Sequence, residues 1–290
     1  MKKEYFLKGL AVVIALFGFV LGMISNNAVA GLFPASMLLV SALVSTVVHI
    51  SICILFFYFA SRVEKKTLGT YGMSWNKGDG RQLIYGLLAG IGVFLIITGT
   101  LYLPGLYQLK TGNQNLYKLL VNFVFFVAVG TSEELFFRGF IQHRLLKFGP
   151  IIALLGSGLL FALVHALNPN VSLLALLNVF LAGCFFGVLM YKTGSLLTAI
   201  GAHITWNWVQ GSLLGIPVSG TTESGYFRTI IHGGNPLLTG GQFGAEAALS
   251  TTIVLAVLTL VLLLYLYKSK QINSICLLYT SPSPRDSTSS

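Results

Sequence analysis

The chain has 290 residues, of which 55% are hydrophobic and 9% are charged, and its formal net charge is +10. A soluble domain carries roughly 25% charged residues, so this composition excludes a soluble globular protein and indicates a polytopic membrane protein. The positive net charge does not predict a nucleic-acid partner, because the basic residues cluster in short loops between apolar segments, where they report membrane topology.

Eight apolar segments divide the chain. A helix crosses a bilayer with about 20 mostly apolar residues, so the segments predict an all-α polytopic integral membrane protein with about eight transmembrane helices. We see no internal repeat of the kind that many transporters carry. The predicted spans cover approximately residues 6–25, 36–61, 83–104, 116–137, 151–167, 172–191, 195–214 and 247–267.

The basic residues alternate between successive loops. They are frequent before span 1, between spans 2 and 3, after span 4 (from Arg138 onward) and after span 8, whereas the alternate loops carry only Lys110, Lys118 and Arg228. The positive-inside rule then places both termini in the cytoplasm of a multi-pass cell-membrane protein. The glycine-rich loop 215–246 becomes external, and its turn-forming residues suggest a mobile cover.

Neither the cysteines nor the end of the chain points to a site. Cys53 and Cys184 lie in apolar spans without CxxC spacing, so we expect buried thiols and no disulfide framework. Residues 276–290 begin with Cys276 and contain Ser-Pro-Ser-Pro-Arg-Asp. This stretch resembles the translation of a sequencing-library adapter, and we exclude it from fold reasoning as a non-native tail.

Glu133 and Glu134 stand side by side near the inner end of span 4, in a chain with 8 acidic residues. A charge at bilayer depth costs at least ~2.5 kcal/mol, so intramembrane carboxylates indicate a functional site that faces a polar cavity. The alternative is a helix that ends at the cytoplasmic surface, with Glu134 and Arg138 paired one turn apart.

Further polar residues follow on the next spans at helical spacing. Phe161 and His165 are four residues apart in span 5, and His203 and Asn207 are four apart in span 7, so each pair shares one face of its helix. Phe161 can wall His165, while His203 and Asn207 can present two polar side chains to one cavity.

A turn between spans 4 and 5 sets the relative depth of these residues. Gly149-Pro150 marks the turn, because proline ends or restarts helices. Glu133 lies 16 residues before Gly149, and His165 lies 15 residues after Pro150. An antiparallel hairpin would therefore bring Glu133 and His165 to nearly the same level, as a catalytic pair requires.

These residue types suit amide hydrolysis within the membrane. A carboxylate beside an imidazole can deprotonate a water and direct it at a carbonyl, and a second histidine with an asparagine can donate hydrogen bonds to the developing oxyanion. Glu133, His165 and His203 are also suitable zinc ligands, but the chain has no HExxH motif. We favour a metal-free glutamate mechanism, with zinc as the alternative.

Three motifs in this order resemble the CPBP family, which includes type II CaaX prenyl endopeptidases and the bacterial Abi proteins linked to bacteriocin processing and self-immunity. The motifs are Glu133-Glu134-x-x-x-Arg138, Phe161-x-x-x-His165 and His203-x-x-x-Asn207. The resemblance implies an intramembrane endopeptidase with a cytoplasm-facing cavity. Glu133 would activate water with His165 as its partner, His203 and Asn207 would form the oxyanion site, and Glu134 and Arg138 would support them.

This interpretation divides the chain into helices 1–3 (residues 1–115), a catalytic core (116–214), the external loop with helix 8 (215–270), and the tail. The expected partners are the lipid bilayer and a peptide or membrane-protein substrate.

Two alternative functions stay open. A non-catalytic immunity or scaffold protein would keep its function in Glu133→Gln, and a proton-coupled transporter would use the carboxylates and histidines as a relay.

Overall fold

The computed structural model describes residues 2–73, 78–222 and 224–272. Within these residues a helix lies at each of the eight predicted positions, so the all-α fold is confirmed. Lys77, which contributes to the predicted charge bias, and the predicted tail 276–290 lie outside the described residues. The helices are α1 (Lys2–Ala30), α2 (Leu38–Val63), α3 (Asp79–Tyr102), α4 (Leu116–Glu134), α5 (Pro150–His165), α6 (Leu173–Thr193), α7 (Leu196–Asn207) and α8 (Leu249–Lys268).

Helix length and composition make the chain a multi-pass membrane protein. Six helical segments of the described residues are long and apolar enough to cross a membrane, namely α1, α2, α3, α4 with its continuation to Phe148, α6 and α8. The apolar helix α5 is shorter, with 16 residues. Helix α7 has 12 residues and continues through a further turn to Leu213.

Local sequence explains where the central helices begin. The side chains of Asn115 and Ser172 accept hydrogen bonds from the backbone N–H groups of the first turns of α4 and α6, at 2.9 and 3.1 Å. Such caps satisfy donors that a helix start leaves unpaired. Gly149 adopts φ +104°, which favours glycine, and Pro150 opens α5 as its first residue. The predicted turn at Gly149-Pro150 is therefore confirmed.

Helices α4 and α7 lie at the centre of the bundle. Helix α4 packs against α2 and α7, α7 packs also against α3 and α6, and the outer contacts join α1 to α2, α5 to α6 and α6 to α8. Both central helices widen into π-helical turns, over Leu135–Gln142 after α4 and Trp208–Leu213 after α7. Single π-turns inside helices occur frequently at functional sites, and here they directly follow Glu134 and Asn207.

A two-stranded sheet, which the sequence did not predict, joins two loops at one end of the bundle. Strand β1 (Tyr107–Thr111) pairs antiparallel with β2 (Phe227–Ile231). The Tyr107 hydroxyl donates to the backbone oxygen of Thr239 at 2.6 Å, and burial raises the pKa of Tyr107, so the hydroxyl stays a donor at neutral pH. Both contacts connect the segment before α4 to the glycine-rich loop, whose mobility stays a prediction.

The other end of the bundle collects the basic loops. Arg144 Nη2 donates to Glu64 at 2.6 Å and to the backbone oxygen of Lys8 at 2.9 Å, while the Tyr71 hydroxyl donates to Glu64. Gly72 lies against Leu196 at the start of α7. We call this end, formed by residues 64–72, 143–149 and 194–195, the basic end. The opposite end, formed by residues 103–115, 166–172, 214–222 and 224–248, is called the sheet end.

Candidate active site

Glu134 and Arg138 form a fully buried ion pair. Arg138 Nη1 donates to Glu134 Oε1 at 2.8 Å, and both side chains have 0% exposure. Arg138 Nη2 donates to the backbone oxygen of Gly183 in α6 at 2.9 Å, and the guanidinium lies 4.3 Å from the centroid of the Phe161 ring. The predicted contact one turn apart is confirmed, and the alternative of a pair at the membrane surface is wrong, because this pair lies inside the bundle.

His203 is oriented by Glu134. Its Nδ1 lies 2.9 Å from Glu134 Oε1, and because the carboxylate also receives Arg138, it acts as the acceptor and Nδ1 as the donor. The Phe186 ring stacks on the imidazole at 5.0 Å and 14°. These contacts fix the ring plane and direct Nε2 of His203 toward Glu133.

His165 is oriented by its own helix. Its Nδ1 lies 2.7 Å from the backbone oxygen of Phe161, one turn earlier. A carbonyl only accepts hydrogen bonds, so Nδ1 carries the proton and Nε2 of the neutral ring keeps its lone pair. The Phe161 ring packs against the imidazole with a centroid distance of 4.5 Å, as the spacing of the two residues predicted.

Glu133 meets both imidazoles. Its Oε2 lies 3.9 Å from Nε2 of His165 and 3.9 Å from Nε2 of His203, so the level predicted from the Gly149-Pro150 hairpin is confirmed. Within the described part of the chain this oxygen is buried and has no hydrogen-bond partner. The gap between Glu133 Oε2 and the lone pair of His165 Nε2 suits a bridging water that donates one proton to each of these two acceptors.

A cavity of about 440 Å³ opens beside these groups. Glu133, His165, His203 and Asn207 all line it, so the structure brings the four residues predicted as catalytic to one surface. Glu134 and Arg138 lie behind that surface and have no exposed area. Phe161, predicted with Glu134 and Arg138 as a supporting residue, lines the cavity itself, so the catalytic and supporting roles of these residues stay predictions.

The spacing of the three possible metal ligands is wide for zinc. Tetrahedral zinc with bonds of about 2.0–2.1 Å separates its ligand atoms by about 3.3 Å, whereas Glu133 Oε2 lies 3.9 Å from each imidazole nitrogen. Among the described residues no group of three or more His, Cys, Asp or Glu has a metal-holding arrangement. As placed, these side chains do not fit the ion, and we derive no step through a metal.

Three residues of the site were not singled out in the sequence. Gly183 supplies the carbonyl that holds Arg138, and Phe186 supports His203. Glu246 reaches the cavity from the loop before α8, where it accepts hydrogen bonds from Trp206 Nε1 at 3.2 Å and from the backbone N–H of Ser219 at 2.6 Å. A rare acidic residue among apolar neighbours was a usable signal for Glu246, whereas nothing in the sequence distinguishes Gly183 or Phe186.

Comparison with known proteins agrees with the geometry. Residues 115–209 match the family model described as type II CAAX prenyl endopeptidase, Rce1-like. The match contains all three motifs and leaves α1–α3 and α8 outside it. No curated protein and no solved structure shows significant similarity to the chain.

Proposed function

We propose that this chain is an intramembrane endopeptidase in which Glu133 and His165 activate a water for attack on a peptide bond. The match of residues 115–209 to the Rce1-like family model of type II CAAX prenyl endopeptidases supports this proposal. The observation that carries the proposal is the convergence of the Glu133 carboxylate and two imidazole Nε2 atoms at the wall of one cavity. The substrate would be a peptide or a segment of a membrane protein.

Glu133 and His165 have complementary parts in the water-activating step. Both present acceptors toward the gap between them, so a water there donates its two protons and keeps a lone pair for the carbonyl carbon. Glu133 takes a proton as the oxygen attacks and returns it to the leaving amine. The Phe161 carbonyl holds His165 in the tautomer that this step needs.

His203 and Asn207 would stabilise the oxyanion. Buried charges require partners, and the Glu134–Arg138 pair leaves the Glu133 carboxylate to be balanced. A proton on His203 Nε2 supplies that balance, because this ring lies between Glu133 and Glu134. The same N–H, together with the Asn207 amide, can then donate to the negative oxygen of the tetrahedral intermediate.

The test is peptide cleavage by the purified protein in liposomes, with wild type compared to Glu133→Gln. Loss of the general base should lower the cleavage rate by about 10²–10⁴-fold, while the apparent melting temperature should stay near that of wild type. Glu4→Gln is the matched control, because this carboxylate lies on the exposed surface of α1 and its loss should leave cleavage unchanged.

A chelator arm distinguishes the two hydrolytic mechanisms. Cleavage that resists a strong chelator and disappears in Glu133→Gln supports water activation by the glutamate alone. Cleavage that the chelator abolishes and zinc restores would show a metal held by Glu133, His165 and His203. Full activity of Glu133→Gln would refute the role given to Glu133, and a folded wild type that cleaves no peptide of a broad library would favour the scaffold alternative.

A further inference from the structure

The cavity extends from Glu133 toward the sheet end of the bundle. Beyond the two histidines its wall is formed by Asn168, in the loop after α5, and by Ser219, Thr221 and Glu246, in the loop between α7 and α8. All four belong to the loops of the sheet end. The cavity therefore connects the active-site groups to the end of the molecule that carries β1 and β2.

In the opposite direction the bundle is packed. Phe137, Arg138 and Phe140 follow Glu133 toward the basic end, and each is at most 1% exposed. The Phe140 ring packs against Tyr71 at 5.1 Å and against Phe57 at 5.8 Å between centroids. This aromatic layer separates the cavity from the loops of the basic end.

The charge distribution assigns the two ends to opposite sides of the membrane. Arg138 must be left out of the count, because it is an interior residue and not the loop residue that the sequence suggested. The bias survives this correction. The basic end and its flanking turns carry Arg62, Lys65, Lys66, Arg144, Lys147 and Lys192. The sheet end and its flanking turns carry Lys110, Lys118 and Arg228. The positive-inside rule places the basic end in the cytoplasm.

We propose that the cavity opens to the non-cytoplasmic face of the membrane and takes its substrate segment from that side. This inference deepens the proposed function and rests on it for the peptidase activity. It differs from the cytoplasm-facing cavity that the family resemblance implies. In this structure a cytoplasm-facing cavity would place the basic end on the outer side of the membrane, against the positive-inside rule. The substrate class becomes a peptide, or a membrane-protein segment, exposed on the outer surface, and a cytoplasmic prenylated C-terminus would not reach Glu133.

Polar contacts shape the mouth of the cavity at the sheet end. Both oxygens of Glu246 are engaged, Oε1 by Trp206 Nε1 and Oε2 by the N–H and hydroxyl of Ser219. Asn168 Nδ2 donates to the backbone oxygen of Ser219 at 3.0 Å, and Asn170 Nδ2 donates to that of Gly220 at 3.3 Å. A polar rim at this depth suits a site that meets water and the peptide backbone on this side.

The test is the sidedness of thiol labelling in intact cells of a bacterial host. Cys53, Cys184 and Cys276 are first replaced by alanine, and single cysteines are then placed in the full-length protein. Leu167→Cys reports the sheet end, where Leu167 is 92% exposed, and Phe148→Cys is the matched apolar position of the basic end, 56% exposed. Thr221→Cys reports the cavity wall itself. The probe is a membrane-impermeant maleimide, applied before and after permeabilisation.

We expect Leu167→Cys and Thr221→Cys to react fully in intact cells and Phe148→Cys to react only after permeabilisation. The reverse pattern, or labelling of both ends from outside, would overturn the proposal. Labelling requires no turnover, so it separates failure of this inference from failure of the peptidase assignment, which the Glu133→Gln comparison tests. A fluorescence melting curve for each variant confirms that the cysteines have not unfolded the protein.

Discussion

The buried charges around Glu134 combine a structural role with an orienting role. Glu134 Oε1 receives both Arg138 and His203, so the same carboxylate neutralises the guanidinium and sets the imidazole. Removing one partner of a buried pair leaves an uncompensated charge and costs about 3–5 kcal/mol, whereas replacing both partners by apolar residues is often close to neutral. Stability and activity should therefore respond differently to single and double substitutions.

Arg138→Leu should sharply lower the apparent melting temperature, because the Glu134 carboxylate is then buried without its cation. The double variant Glu134→Leu/Arg138→Leu should recover much of that loss. The double variant should show no cleavage, because His203 Nδ1 has lost the Glu134 acceptor that orients the ring. Melting curves and cleavage rates on the same preparations check both parts. A double variant as unstable as Arg138→Leu would show that polar contacts, such as the one to Gly183, dominate this cluster.

Glu246 is the site residue that helical spacing in the sequence could not predict. Glu133, His165, His203 and Asn207 were found because helical spacing and one Gly-Pro turn fix their relative positions. Glu246 is equally rare and equally buried, but it lies in a loop whose path no helical period describes. Its approach to Trp206 and Ser219 depends on how residues 214–248 fold over the bundle, and the sequence alone does not contain that path.

At the scale of elements, α7 is positioned by close contact with α3. A side chain on Gly90 of α3 would collide with the backbone oxygen of Ala202 and the hydroxyl of Thr205, and Thr205 Oγ1 donates to the Leu87 carbonyl at 2.8 Å. Small residues at four-residue spacing let membrane helices approach closely, and Gly86 and Gly90 have this spacing. Because Ala202 precedes His203, this contact also fixes the depth of the site.

Gly90→Ala should push α7 away from α3 and lower stability by roughly 1–3 kcal/mol, the usual cost of overpacking. Cleavage should fall more steeply, because a displacement of about 1 Å at a catalytic group can cost about 10²-fold in rate. Gly92→Ala is the control, since an added methyl there meets no atom within 4 Å. Equal effects of the two substitutions would show that loss of glycine in α3, and not contact with α7, is responsible.

The elements themselves were predicted unevenly, for a physical reason. Long apolar runs predict membrane helices, and a helix lies at each of the eight predicted positions. Six helical segments of the described residues are long and apolar enough to cross a membrane. The π-turns after Glu134 and Asn207 have no compositional signal, because the same residues would continue an α-helix. Strands β1 and β2 are short, and their pairing connects residues more than a hundred positions apart, so the contact that stabilises them lies outside any local window.

For the whole molecule, the segregation of loops into a basic end and a sheet end links charge to access. Both the charge bias and the eight helices were visible in the sequence, but the direction of the cavity was not, since it depends on which loops meet beside Glu133. The structure shows that loops of the sheet end line the cavity. Combined with the positive-inside rule, this observation leads to the proposed entry of substrates from the non-cytoplasmic side.

The pairing of β1 with β2 at the sheet end can be tested directly. Lys110 and Arg228 are cross-strand partners in β1 and β2, an unfavourable pairing of like charges. Their Cα atoms, about 4.5–5.5 Å apart in an antiparallel pair, suit a disulfide. In the cysteine-free background, Lys110→Cys/Arg228→Cys should cross-link on oxidation and raise the apparent melting temperature, as expected for a bond worth about 2–4 kcal/mol. The double alanine variant controls for the removed charges.

Cleavage by this cross-linked protein should match that of its reduced form, because neither strand lines the cavity and a substrate segment entering beside Asn168 and Ser219 need not part them. A cross-link that forms but abolishes cleavage, with recovery on reduction, would mean that the sheet end must open during turnover. Failure to cross-link would contradict the pairing of β1 with β2. The first two results separate a preformed mouth from one that opens on demand, a difference that the labelling of Leu167→Cys cannot detect.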